Sequence, residues 1–252
     1  MLFVFFVFGF VVKNNRKWAT LYHTYQTFPN KPALQFLSFG TKADIVYTYE
    51  DYLKTISVDG ILSIKTLFNT EISYTFDFDA FKNFLGKDYR NLESNRIVIT
   101  SSPSESFSLN LNLTVGRELA FNEAVPEKGK ELKFNFIPII QLSNKLRISP
   151  SIRYARLKHL DSNDFYYNGS ISRFSARYQF NNFFNVRIIS EYNTFTDRFF
   201  IQPLIQWNPN PSTVFYIGGN QNSLSDFNDE MYSIFRIDQT QLFLKFQYLL
   251  DL

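Results

Sequence analysis

A chain of 252 residues with 45% hydrophobic and 19% aromatic content, including 30 Phe and 15 Tyr, accommodates one large all-β domain or two smaller domains. Nine Gly and nine Pro exclude a collagen-like or low-complexity chain, and a mean hydropathy of -0.18 excludes a bundle of membrane helices, though not a barrel in which alternate residues face a lumen. The net charge of +3, from basic residues scattered along the chain, gives no footprint for nucleic acid, and the absence of cysteine excludes disulfides, thiolate metal sites and Cys nucleophiles.

The chain opens on its most apolar run, LFVFFVFGFVV, at 2–12. About 11 residues are too few for a membrane helix, which needs ~20. No basic start precedes the run and no small-x-small site follows it before Lys13, so it reads as a strand, with a degenerate export signal as the alternative. On the strand reading the chain carries no export signal of its own and is expected to be a piece of a longer exported protein. Strands are then expected at 17–28, at 33–49 with a bulge or kink near Gly40, and at 52–67. In the last of these Val58, Leu62 and Ile64 alternate with Ser57, Asp59, Ser63 and Lys65. After a turn at Asn69-Thr70, Ile72, Tyr74, Phe76 and Phe78 alternate with Ser73, Thr75, Asp77 and Asp79. The polar, Gly86-containing stretch 83–95 reads as a loop.

A short strand at 96–101 precedes 107–115, where Phe107, Leu109, Leu111, Leu113 and Val115 alternate strictly with Ser108, Asn110, Asn112 and Thr114. A loop at 118–130 leads to strands at 131–141 and 146–154, and a loop at 161–164 leads to strands at 165–180, 184–192, 199–208 and 213–221. The longest loop, 222–238, precedes a final strand at 240–250. There Leu242, Leu244, Phe246, Tyr248 and Leu250 share a face opposite Gln241, Lys245 and Gln247, with Phe243 and Leu249 as apolar exceptions on that second face. Pro138, Pro150 and Pro203 sit mid-strand and predict bulges. The loop lengths follow a parity. With the C-terminus on the periplasmic side, the links 222–238, 159–165, 119–130 and 83–95 fall outside, and the short turns fall inside, as in bacterial outer-membrane barrels.

The runs SSPSESFSLNLNLTVG at 101–116, ARYQF at 176–180, QPLIQWNPNPSTVFYIG at 202–218 and FLKFQYL at 243–249 resemble the C-terminal region of a Gram-negative family common in Bacteroidetes, named as a domain of unknown function. Full-length members join an N-terminal family-nine-like carbohydrate-binding module to a large outer-membrane barrel. The resemblance implies that residues 1-252 are barrel, lacking that module and the early strands, and it brings no catalytic residues. The implied partners are outer-membrane lipid, a glycan or small solute, and a missing N-terminal segment of the same protein, with no cofactor.

Five arginines, Arg147, Arg153, Arg173, Arg177 and Arg187, alternate with apolar residues on three consecutive strands and are expected to project together into the lumen. Facing Glu191, Asp59 and Asp77, they form either a charge ladder or a basic wall that favours anionic solutes, unless mutual ion pairs cancel the field. His23 and His159 are the only histidines, and no Gly-x-Ser-x-Gly elbow accompanies them. Asp77 with Asp79, and Asp226 with Asp229 and Glu230, read as hydrated carboxylates before they read as acid–base or Ca²⁺ sites. Trp18, Tyr154, Tyr178, Tyr192, Trp207 and Tyr248 suit interfacial girdles better than a sugar platform. These features together predict an all-β, antiparallel transmembrane β-barrel of about 14 strands, or part of a larger one, in the outer membrane of a Gram-negative bacterium. Its expected role is non-enzymatic, as anchor or pore. An outer-membrane enzyme and a soluble all-β binding protein are the alternatives.

Overall fold

The computed structural model describes residues 15–29, 31, 33–226 and 234–249. Within them the first seven strands are β1 (Lys17–Thr27), β2 (Leu34–Tyr47), β3 (Leu53–Thr66), β4 (Thr70–Phe84), β5 (Lys87–Ser104), β6 (Phe107–Leu119) and β7 (Lys128–Gln141). The other six are β8 (Leu146–His159), β9 (Phe165–Gln179), β10 (Phe184–Asn193), β11 (Arg198–Asn210), β12 (Thr213–Asp226) and β13 (Ile234–Tyr248). They form one antiparallel sheet in which each strand lies beside its neighbour in the chain. The expected strand at 2–12 lies outside the described residues, which accounts for 13 strands here against the fourteen of the sequence reading.

Two compact units make up the chain. One comprises Met1–Ser101, Leu111–Lys133 and Arg156–Tyr166, and the other Ser102–Asn110, Phe134–Ala155 and Tyr167–Leu252. In the first unit the period-2 pattern places Leu62, Tyr74 and Ile97 in adjacent positions on one face, through the pairs Leu62↔Tyr74 and Tyr74↔Ile97. The opposite face carries Lys42↔Asp59 and Asp59↔Asp77, and Lys42 is ion-paired with Asp44. Trp18, expected in a girdle, lies on this polar face: it pairs with Val46, in line with Thr20↔Asp44 and Tyr22↔Lys42.

In the second unit the apolar face is built in rows. Phe184↔Trp207, Trp207↔Phe215 and Phe215↔Phe246 run across four strands, and Ile205↔Ile217 and Ile217↔Leu244 follow beside them. Trp207 stacks on Phe215 at 5.2 Å between centroids, and Phe215 meets Phe246 at 5.0 Å. The row continues through Phe184 to Phe180 and Tyr178 at 5.2 and 4.7 Å. These side chains are exposed away from the sheet edge as well as at it: Trp207 is 48% and Ile217 56% exposed. Among the described residues the buried apolar side chains are Tyr89, Leu92, Leu119, Ala120, Leu157 and Ile189. The apolar face is therefore not the inside of a sandwich.

Several sequence expectations need correction. The stretch 83–95 is strand: β4 runs to Phe84, β5 starts at Lys87, and Leu85-Gly86 alone make the turn, with φ of 51° and 77°. Two successive positive φ values define the type I′ hairpin that matches strand twist. The loop expected at 118–130 is shorter, 120–127, and β12 and β13 reach into the loop expected at 222–238, to Asp226 and from Ile234, because the strands run on past the apolar rows. The length parity weakens accordingly, since 85–86 is as short as any turn on the opposite side. Gly40 causes no kink; it stays in register with Thr24 and Ile61, and the β2–β3 shifts fall at the strand ends. Pro203 causes no bulge. It pairs with Ile188, and the β11–β12 register is unchanged from Ile201↔Gln221 to Leu204↔Gly218. Antiparallel residues direct their N–H groups to one neighbour only, so a proline removes one ladder bond without moving the register.

Leu85 holds a left-handed conformation that a Cγ-branched residue adopts at a cost, whereas Asn tolerates it. Leu85→Asn, which creates an Asn-Gly turn, is expected to raise stability by about 0.5–1 kcal/mol, read as a higher urea midpoint with an unchanged slope.

Candidate functional site

Two groups of polar side chains stand out, one in each unit. In the second unit, β9 and β10 bring Arg177 directly opposite Arg187 and Arg173 directly opposite Glu191. Arg173 and Glu191 form an ion pair at 3.6 Å. The alternation of β8 puts Arg147 and Arg153 on one side and Tyr154 on the other. Tyr154 hydrogen-bonds Asn168 at 2.9 Å, and Asn168 lies on the even-numbered face of β9. The odd-numbered residues of β8 and β9 therefore share the other face, and all five arginines lie on it. Within this unit the register brings Arg177 level with Arg187 and sets Arg173 against Glu191, while Arg153 lies six residues along β8 from Arg147. The expected ladder to Asp59 and Asp77 would involve residues of the first unit, whose cationic partner in register is Lys42.

The arginine face has little negative charge. Around Arg177 and Arg187 the aligned positions are Ser175 and Gln179 on β9, Asn185 and Ile189 on β10, and Leu204 and Gln206 on β11. Lys245 follows on β13, opposite Tyr216, with its ammonium 5.9 Å from the ring centroid. The first carboxylate along the face is Glu191, already engaged by Arg173.

In the first unit the β6–β7 loop folds over the polar side of the sheet. Tyr89 pairs with Lys82, which bonds Asp79 at 3.1 Å, so its ring lies on the polar face. Its hydroxyl donates to the Pro126 carbonyl at 2.6 Å. Phe121 packs edge-on against Phe84 at 5.1 Å, and Asn122 reaches the Tyr166 carbonyl at 3.4 Å. Pro126 of the loop is fully buried, as are Leu119 at the end of β6 and Leu157 on β8. Beside it opens a cleft of about 360 Å³, lined by Lys87, Asp88, Glu127, Lys128, Asp161 and Tyr166 among others. His159 lines it too, its ring stacked on Tyr166 at 3.7 Å. Tyr166 donates to Glu127 at 3.0 Å. It sits at the loop end of β9, beyond the apolar rows. Burial, then the bond to Glu127, pushes its phenol up to about 12, so it remains a donor across the physiological range.

This inward loop was not anticipated from the sequence, although Phe121, Val125 and Pro126 are conspicuously apolar for a loop. Tyr89→Phe leaves the Pro126 carbonyl buried without its donor. The expected loss is about 1–3 kcal/mol, seen as faster tryptic cleavage at Lys128 and Lys130 than in wild type.

The remaining candidates separate. His23 is exposed on β1 opposite Thr41, on the face of Leu21 and Tyr25. Ser162, on the His159 cleft, donates to Asp164 at 2.9 Å. Asp77 lies opposite Asp59, and Asp79 bonds Lys82. Asp229 and Glu230 lie outside the described residues.

No protein-family model matches the chain, and no curated protein matches it. Among solved structures, it is similar to a crystal structure of a Pseudomonas aeruginosa FadL homologue, with 11% identity and a TM-score of 0.32, over 90% of this chain and 76% of that one.

Proposed function

We propose that the chain forms the strand wall of a β-barrel in the outer membrane of a Gram-negative bacterium, serving as anchor or pore. The observation that carries this reading is the exposed apolar face of the second unit. Its aliphatic positions Ile205, Ile217, Leu242 and Leu244 adjoin the aromatic row from Tyr178 to Phe246 at the turn end. An apolar surface of this extent is unstable against water, while a hydrocarbon band edged by aromatics is the lipid-facing side of a barrel strand. The opposite, charged face is then the lumen side. The sequence resemblance adds the proposal that such a barrel serves a glycan-binding module.

The test is refolding of the full chain into detergent and planar bilayers. A folded, detergent-partitioned protein with discrete conductance steps is a pore. The same protein without conductance is an anchor. A chain that stays monomeric, folded and water-soluble without detergent removes the membrane reading.

A further inference from the structure

On the polar face of the second unit we infer an oxyanion site formed by a row of three arginines across β8, β9 and β10. Its ligand class is a water-borne solute bearing a phosphate-type, multivalent oxyanion. The inference deepens the barrel reading and rests on it, since the polar face must be open to solvent.

Arg177 and Arg187 are partners in register. The bond from the Gln179 N–H to the Lys145 carbonyl, 2.8 Å, sets β8 beside β9. Stepping two residues forward from 145 and two back from 179, as antiparallel strands run, brings Arg147 level with Arg177. Three arginines thus occupy adjacent register positions on one face of three neighbouring strands. Like charges directly opposite across a sheet repel, and a fold gains nothing from placing them so unless something neutralises them. The protein does not: among the described residues, no ion pair holds Arg147, Arg177 or Arg187, and Glu191 is committed to Arg173. Arg187 adds a second observation. Its Nε is shut off from solvent and has no hydrogen-bond partner, so the charge is partly desolvated without compensation. Arg147 and Arg177 are exposed and reachable. Guanidinium forks match the oxygens of phosphate in geometry and charge.

The experiment uses the full chain folded in neutral detergent, with inorganic pyrophosphate as probe against sodium chloride of equal ionic strength. Wild type is expected to bind pyrophosphate by calorimetry and to melt at a higher temperature in its presence. Arg177→Gln is expected to weaken binding by about tenfold or more and, without the probe, to raise the melting temperature by relieving repulsion. Arg147→Gln, at an exposed position, gives the same loss of binding should Arg177→Gln fail to fold. Arg198→Gln, on β11 away from the row, keeps wild-type binding. Micelles doped with phosphatidylglycerol form the second arm. If lipid phosphate displaces the probe, the anion is a headgroup and the solute proposal falls. The proposal is also overturned if folded wild type does not distinguish pyrophosphate from chloride, if Arg147→Gln and Arg177→Gln both retain binding, or if Arg177→Gln lowers the melting temperature. Failure of wild type to fold in detergent removes the barrel reading and this one together. Folding without binding removes only this one.

Discussion

Leu244→Lys is expected to abolish stable insertion into lipid vesicles, at a cost of about 2–4 kcal/mol, the penalty for a lysine at mid-depth on the lipid side of a barrel. Leu244 is 74% exposed, pairs with Ile217 on β12, and stands between the Phe246 and Leu242 positions of the apolar face. In water the same change would be harmless, since an exposed leucine becomes an exposed lysine. Measuring urea unfolding in vesicles separates the two situations. The matched control is Lys245→Leu, one residue on and on the opposite face, which should insert normally. Equal stability of Leu244→Lys and wild type in vesicles would show that this face does not meet hydrocarbon.

The second large effect is expected at Gly116. A Cβ there would lie 2.1 Å from the Glu93 carbonyl oxygen and 2.7 Å from the Ser94 Cα. Both obstacles are backbone of β5, so no rotamer change makes room, and the two strands must separate locally. Gly116→Ala is expected to destabilise by about 3 kcal/mol, the upper part of the range for overpacking. It should also disturb the loop that Tyr89 holds, because β6 leads directly into that loop. Gly60 is the internal comparison. Nothing lies within 4 Å of a Cβ built there, so Gly60→Ala should be neutral or stabilising by about 0.5 kcal/mol. Urea midpoints of the two variants, measured side by side, check the contrast. Equal behaviour would mean that the β5–β6 approach relaxes freely.

The strands were legible where one face is apolar and the other polar. Residues 107–115 and 240–248 show the alternation plainly, and both are strand. Legibility failed where a strand runs past the apolar rows. In β5, Arg90, Asn91, Glu93, Ser94 and Asn95 put polar groups on both faces, so the period-2 contrast vanishes although the ladder to β4 continues, Phe81↔Arg90 and Phe78↔Glu93. Leu85 hid the turn because it is not a turn-forming residue type. The arginines were legible as sharing a face, which follows from spacing alone. Their alignment was not, because register depends on how many residues the β8–β9 link at 160–164 and the β9–β10 turn at 180–183 consume, and one residue more would send a strand's side chains to the other face. The loop 120–127 shows the opposite limit. Its apolar residues were visible, but Phe121 and Val125 remain exposed while Pro126 is buried, a distinction set by the position of Tyr89 on another strand.

The strictly sequential strand order has a kinetic consequence. Among the described residues every pairing joins segments separated by a single hairpin, so within this sheet no distant stretch of polypeptide must be found before a strand can add to its neighbour. Assembly can advance as a zipper, each new strand templated by the one just laid down. Truncation from either end would then shorten the array progressively while leaving the remaining registers unchanged.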